Sequence, residues 1–338
     1  MKKYLTGFLK IAIPLGFGLF LVWYFYSTLT PKDKTEIMDA FERANYSWVW
    51  LSLVAATLSH MSRAYRWKFT LAPLGYKPNF TNSFFAVMIG YLINLAVPRL
   101  GEISRCGIAR KYENIPFEKL LGTVIAERVA DALILMTTIL TVIFLQYEVI
   151  QDLLNEILAS VFGKISGTTI LVLLVVLLVG GIGSLVFIYR IKSENKFIQT
   201  IQKTLKGIVD GMLSIYTMKK KWAFIGHTLF IWLMYLMMFY LCFFALPETS
   251  NVPIAGVLTG FALGGITIAV TNGGIGAYPL AVQAILVLYE VDKNTAGAFG
   301  WIVWTAQTIL ILILGALSFA LISPFNRWKN DKLKAAQA

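Results

Sequence analysis

The sequence predicts an all-α polytopic membrane protein, and three observations carry that prediction. The chain is 57% hydrophobic against 14% charged, with a mean hydropathy of +0.69. Soluble domains carry about 25% charged residues, so this chain has too few to build a water-facing surface. Apolar stretches near the ~20 residues needed to cross a bilayer recur along all 338 residues. The Lys and Arg residues gather in the segments between them, as orientation in a membrane requires. No part of the chain is left for a soluble domain, so 1–338 reads as one membrane domain. The net charge of +12 then describes loops beside anionic lipid head groups. Nucleic acid is not expected as a partner, because no basic domain exists to bind it.

Six segments qualify as full spans: 9–28, 47–65, 120–146, 166–189, 222–246 and 296–322. The first follows Met1-Lys2-Lys3 and ends in bulky Trp23-Tyr24-Phe25-Tyr26 with no small-x-small site, so it reads as an uncleaved span. The basic segment 190–221 and the basic tail after Ile322 place those regions, and both termini, on the cytoplasmic side. Arg63, Arg66, Lys68 and Lys77 read as a cytoplasmic turn after the second span. The segments 29–46 and 147–165 are balanced or acidic and face outward.

Two further apolar segments break early. The segment 82–97 runs into Pro98-Arg99-Leu100-Gly101-Glu102. If it crossed, Arg99, Arg105, Arg110, Lys111 and Lys119 would lie outside, against the other loop charges. The conflict vanishes if the chain turns back near Pro98–Gly101, as a broken or re-entrant hairpin buried in protein. The segment 254–270 turns at Asn272-Gly273-Gly274-Ile275-Gly276 and returns through Leu280–Tyr289, an arm apolar enough to be half a span or a full one. Each half then has two spans, a broken hairpin and a third span: 1–147 starts from the cytoplasm and 163–322 from outside. Ile93-Asn94-Leu95-Ala96-Val97-Pro98 is weakly echoed by Ile266-Thr267-Ile268-Ala269-Val270-Thr271. The expectation is an inverted-topology repeat, whose matching interruptions mark a transporter's binding site.

The candidate site residues lie at those interruptions. Asn94, Arg99, Glu102 and Arg105 sit at the first hairpin. Glu127, Arg128 and Asp131 fall inside the span 120–146, on roughly one helix face. A charge at the bilayer centre costs about 2.5–3.5 kcal/mol on insertion scales, so several within a few turns call for partners, water or function. One interpretation is a salt-bridge network pinning the hairpin to its neighbour. The other is an anion site suited to a lipid phosphate, with a Glu or Asp proton as its gate. Asn272, Gly273, Gly274 and Gly276 form a turn that either exposes backbone groups to a cavity or simply joins packed helices. His60 and His227 read as isolated interfacial histidines, and the Trp and Tyr residues as interface anchors. Cys106 and Cys242 read as unpaired thiols. HExxH, Cys/His clusters and a P-loop are missing from the sequence, so neither a cofactor nor enzymatic activity is expected.

Asn94–Arg105, with its Pro98…Gly101-Glu102-x-x-Arg105 core, then Ala126-Glu127-Arg128-Val129-Ala130-Asp131 and Gly273-Gly274-Ile275-Gly276, resemble the lysylphosphatidylglycerol synthase transmembrane region. That is the flippase-like domain of the multiple peptide resistance factors and of stand-alone homologues, and the likeness covers roughly residues 10–325. It implies a flippase or transporter of an anionic or aminoacylated phospholipid, or of a lipid-linked substrate, in a bacterial cytoplasmic membrane. The soluble synthase domain that follows in some members has no counterpart before Ala338, so lipid aminoacylation is not expected. An acidic residue common after the family's glycine turn is replaced by Tyr278-Pro279. Two other function classes stay open. One is an intramembrane transferase, with Glu102 or Asp131 as base and Arg99 and Arg105 on the phosphate, which the short outward loops disfavour. The other is a non-transporting partner of a lipid-modifying enzyme.

Overall fold

The computed structural model describes residues 23, 26, 27, 29–97, 99–162, 199, 202, 206, 218–271 and 273–337. The spans expected at 9–28 (apart from three residues) and 166–189, most of the basic segment 190–221, Pro98 and Asn272 lie outside the described residues. The described residues are helical, without strands: α1 Pro31–Arg43, α2 Tyr46–Leu71, α3 Phe80–Ala96, α4 Leu100–Glu113, α5 Phe117–Phe162, α6 Lys221–Cys242, a single turn α7 Pro247–Ser250, α8 Ile254–Val270, α9 Ala277–Leu288 and α10 Lys293–Gln337.

Local chemistry sets the helix starts. Thr30 and Asp33 form a reciprocal capping box on α1, and Asn79 Oδ1 accepts from the N–H groups of Thr81 and Asn82 at the start of α3. Among the described residues, three stretches are long and apolar enough to cross a membrane: Phe117–Gln151, Lys221–Ala245 and Lys293–Lys332. They cover three of the six expected spans. The expected span 47–65 lies in α2, which is 26 residues long and is not among those three. Its C-terminal end corrects the sequence-based turn: the helix runs on to Leu71 and carries Arg63 and Arg66 inside it, both buried.

Both broken segments fold as helical hairpins. The arms α3 and α4 hold 17 and 14 residues, and α8 and α9 hold 17 and 12. At 1.5 Å per residue they reach about 18–25 Å, short of a ~30 Å hydrocarbon core. The arms α3 and α4 meet at a glycine pair, since a Cβ on Gly90 would lie 2.9 Å from Gly101 O, and one on Gly101 would overlap Gly90 O.

The packing exchanges partners between the halves. Within each half, α3 lies on α4 and α4 on α5; likewise α8 lies on α9 and α9 on α10. Across them, α3 packs against α10 while α8 packs against α5. The most extensive contact is α2 on α6, and these run antiparallel: Ser62 meets His227 Nδ1 at 2.8 Å, and Ser52 bonds with Cys242 ten residues earlier. The hairpin tips meet as well, because a Cβ on Gly273 would lie 3.3 Å from Leu95 Cδ2.

Candidate functional site

A connected network of charges lies beside the first hairpin. Asp131 on α5 accepts from Arg63 Nη1 at 2.7 Å and from Arg66 Nη1 at 3.0 Å. Glu127, one turn earlier, accepts from Arg105 Nη1 at 2.9 Å and lies 3.8 Å from Arg66. Arg128 reaches Glu102 at 3.2 Å and Asp131 at 3.8 Å. Four guanidinium groups and three carboxylates are thus joined across α2, α4 and α5. Arg63, Arg66, Arg105, Glu127 and Asp131 are buried, whereas the side chains of Arg128 and Glu102 keep 42% and 25% of their surface.

Neutral groups position the charges. Arg66 also donates to Thr228 Oγ1 and Arg63 to Tyr235 Oη, so α6 helps to seat both. The Arg105 guanidinium lies 3.7 Å from the centre of the Trp67 ring, and Trp67 Nε1 donates to Thr123 Oγ1. Asn94 joins the hairpin arms: its Oδ1 accepts from Gly101 N–H at 2.7 Å and its Nδ2 donates to Glu102 at 3.3 Å.

The structure brings Asn94, Glu102, Arg105, Glu127, Arg128 and Asp131 together. Arg99 stands apart. It occupies the turn with φ +62°, is exposed, and makes no ion pair among the described residues. Gly273, Gly274 and Gly276 adopt φ of +65°, +74° and +69°, which a side chain would strain, and Trp304 Nε1 donates to Gly273 O at 2.8 Å. They flank the charged site through Leu95 and do not belong to it.

Sequence reasoning missed Arg63 and Arg66, assigned to a loop although their spacing of three puts them on one helix face. It also misplaced His60 and Trp67. His60 is buried, its ring 5.0 Å from that of Tyr91, and Trp67 is fully buried instead of anchoring at an interface.

The family profile of the lysylphosphatidylglycerol synthase TM region matches residues 10–315. The chain belongs to that family. Two curated relatives are archaeal, both from Methanocaldococcus jannaschii. UPF0104 membrane protein MJ1595 is 24% identical over 85% of this chain and 88% of its own length. UPF0104 membrane protein MJ1078 is 26% identical over 71% of this chain and 99% of its own. No solved structure matches the chain. In this family member the matched region takes in every charge of the network, and the glycine turn with it.

A small cavity opens onto the network, lined by Arg63, Tyr91, Asn94, Glu102, Arg105 and Arg128. Its guanidinium groups are of the kind that match carboxylate and phosphate oxygens in pairs.

Proposed function

We propose that this chain is a flippase or transporter of a lipid with an anionic head group, including aminoacylated phospholipids and lipid-linked phosphates. The observation that carries this reading is a buried ionic network beside the tip of a broken helical hairpin, inside an otherwise apolar helical body. Ionisable residues at membrane depth are costly and mark substrate paths, and interrupted helices mark binding sites in transporters. The exchange of packing partners and the antiparallel α2–α6 pair support two inverted repeats, 1–147 and 163–322, with both hairpins re-entrant. On this reading the protein sits in a cytoplasmic membrane with both termini inside. Head groups pass along the hairpin tips while the acyl chains stay in lipid. An intramembrane transferase is the weaker alternative, because Glu102 and Asp131, its candidate bases, already accept from arginines.

The test is translocation of fluorescent phosphatidylglycerol and lysylphosphatidylglycerol in liposomes holding the purified protein. Wild type should move lipid faster than protein-free liposomes, and Arg99→Ala and Arg128→Ala should slow it while melting at the wild-type temperature. Absence of movement for both lipids, or equal rates in all three proteins, would remove the reading.

A further inference from the structure

We infer that the cavity at Arg128, Arg105 and Arg63 is a site for one singly charged phosphodiester, and that Glu102 occupies it as an internal competitor until the ligand displaces it. The inference rests on the transporter reading and adds to it the charge of the head group and the residue that holds its place.

Four guanidinium groups against three carboxylates leave one positive charge within the network. With Glu102 displaced the excess rises to two, and one phosphodiester restores the single negative charge that Glu102 supplied. Arg99 is outside this count, since it makes no ion pair among the described residues and does not line the cavity.

Arg105 Nε and Nη2 and Arg63 Nε are buried without an acceptor among the described residues, and both side chains line the cavity. Buried guanidinium N–H groups left without acceptors cost free energy that phosphate oxygens would recover.

The carboxylates are not equivalent. Asp131 and Glu127 are each held by buried arginines at 2.7–3.0 Å. Glu102 lines the cavity, meets only the half-exposed Arg128 at 3.2 Å and Asn94 at 3.3 Å, and is the most exposed of the three. With Glu102 in place the cavity has room for little more than a water molecule. A phosphodiester enters only if Glu102 leaves Arg128, and Glu102 is the carboxylate whose departure costs least.

The consequence runs against the usual effect of removing a conserved-type charge: loss of Glu102 should tighten binding. The purified protein in detergent is titrated with dihexanoylphosphatidylglycerol, and in a second arm with water-soluble diethyl phosphate. Glu102→Gln should raise affinity for the lipid at least tenfold, and Arg128→Gln should lower it at least tenfold. Binding of the lipid alone assigns the site to head groups anchored by tails; binding of both assigns it to the phosphodiester from either source. Should Glu102→Gln fail to fold, Glu102→Asp, whose shorter carboxylate reaches Arg128 less well, should give at least a threefold rise. Unchanged or weaker lipid binding in the folded Glu102 variant, or wild-type binding in Arg128→Gln, overturns the inference. Because binding is read without translocation, a protein that binds as stated but moves no lipid removes only the transporter reading. One that moves lipid yet ignores Glu102→Gln removes only this inference.

Discussion

Asp131 is the most demanding point at which to perturb the network, and Asp131→Asn is the substitution to make. The residue is 7% exposed and accepts from two buried arginines. Asparagine keeps the volume but removes the charge and turns one acceptor into a donor facing guanidinium N–H groups. A hydrogen bond to a charged group contributes about 1.5–3 kcal/mol, so losing one and weakening the other to a neutral amide oxygen amounts to about 2–4 kcal/mol. Breaking a buried ion pair from one side independently suggests about 3–5 kcal/mol. Both routes meet near 4 kcal/mol. Glu102→Gln, at the half-exposed Arg128 pair, should cost at most about 1 kcal/mol. The two can be compared by titrating the protein from mild micelles into dodecyl sulfate and following tryptophan emission, for which nine Trp residues give ample signal. Adding Arg63→Met to Asp131→Asn removes one of the stranded charges and should restore part of the loss. A loss below about 1 kcal/mol for Asp131→Asn, or no difference from Glu102→Gln, would refute the claim that the buried pairs hold the hairpin, α2 and α5 together.

Three further outcomes are expected. Gly101→Ala places a Cβ against Gly90 O and Asn94, where backbone cannot yield cheaply, so the hairpin should open and stability fall by about 2–4 kcal/mol in the same titration. Gly276→Ala, at φ +69°, should cost about 1–2 kcal/mol, and Trp304→Phe about 1 kcal/mol through the lost bond to Gly273 O; equal stability in both would mean the second turn is not held as described. Asp33, outside the apolar spans, is held down to about 2 from an ordinary 3.8 by hydrogen bonds from Asn294 and Thr30. A depressed carboxyl stabilises the fold above its ordinary value and loses that contribution as pH falls through the folded one. Hydrogen-exchange protection of α1 should therefore persist to pH 4 and fade toward pH 2, and loss already at pH 5 would contradict the Asn294 contact.

The hairpins were legible in the sequence because two physical signals coincide there. Pro98 and Gly101 interrupt an apolar run, and the charges behind them have the wrong sign for a crossing. The glycine turn was legible for a similar reason, and its three glycines do take positive φ. The end of α2 was not legible, because Arg63, Arg66 and Lys68 look like a loop until the acceptors for the first two are known. Those acceptors, Asp131 and Glu127, are more than 60 residues further along, and no local pattern links them. Arg99 differs: its neighbours in sequence join the network, whereas it occupies the αL turn and makes no ion pair among the described residues. The Gly90–Gly101 contact depends on how two helices cross, which one apolar segment read alone does not contain.

The exchange of partners between the halves also bears on the order in which the protein can be made. Arg63 leaves the ribosome 68 residues before Asp131, and Asn82 precedes its hydrogen-bond partner Asn326 by 244. At ~5–20 residues per second these gaps last roughly 3–14 s and 12–50 s. For that time α2 carries unpaired arginines and α3 presents a bare face, in a place where a polar group finds few substitutes. The early helices must therefore wait at the membrane surface, in the translocation machinery or against an insertion factor. Only when α10, the last of the described helices in chain order, meets α3 does α3 acquire that neighbour.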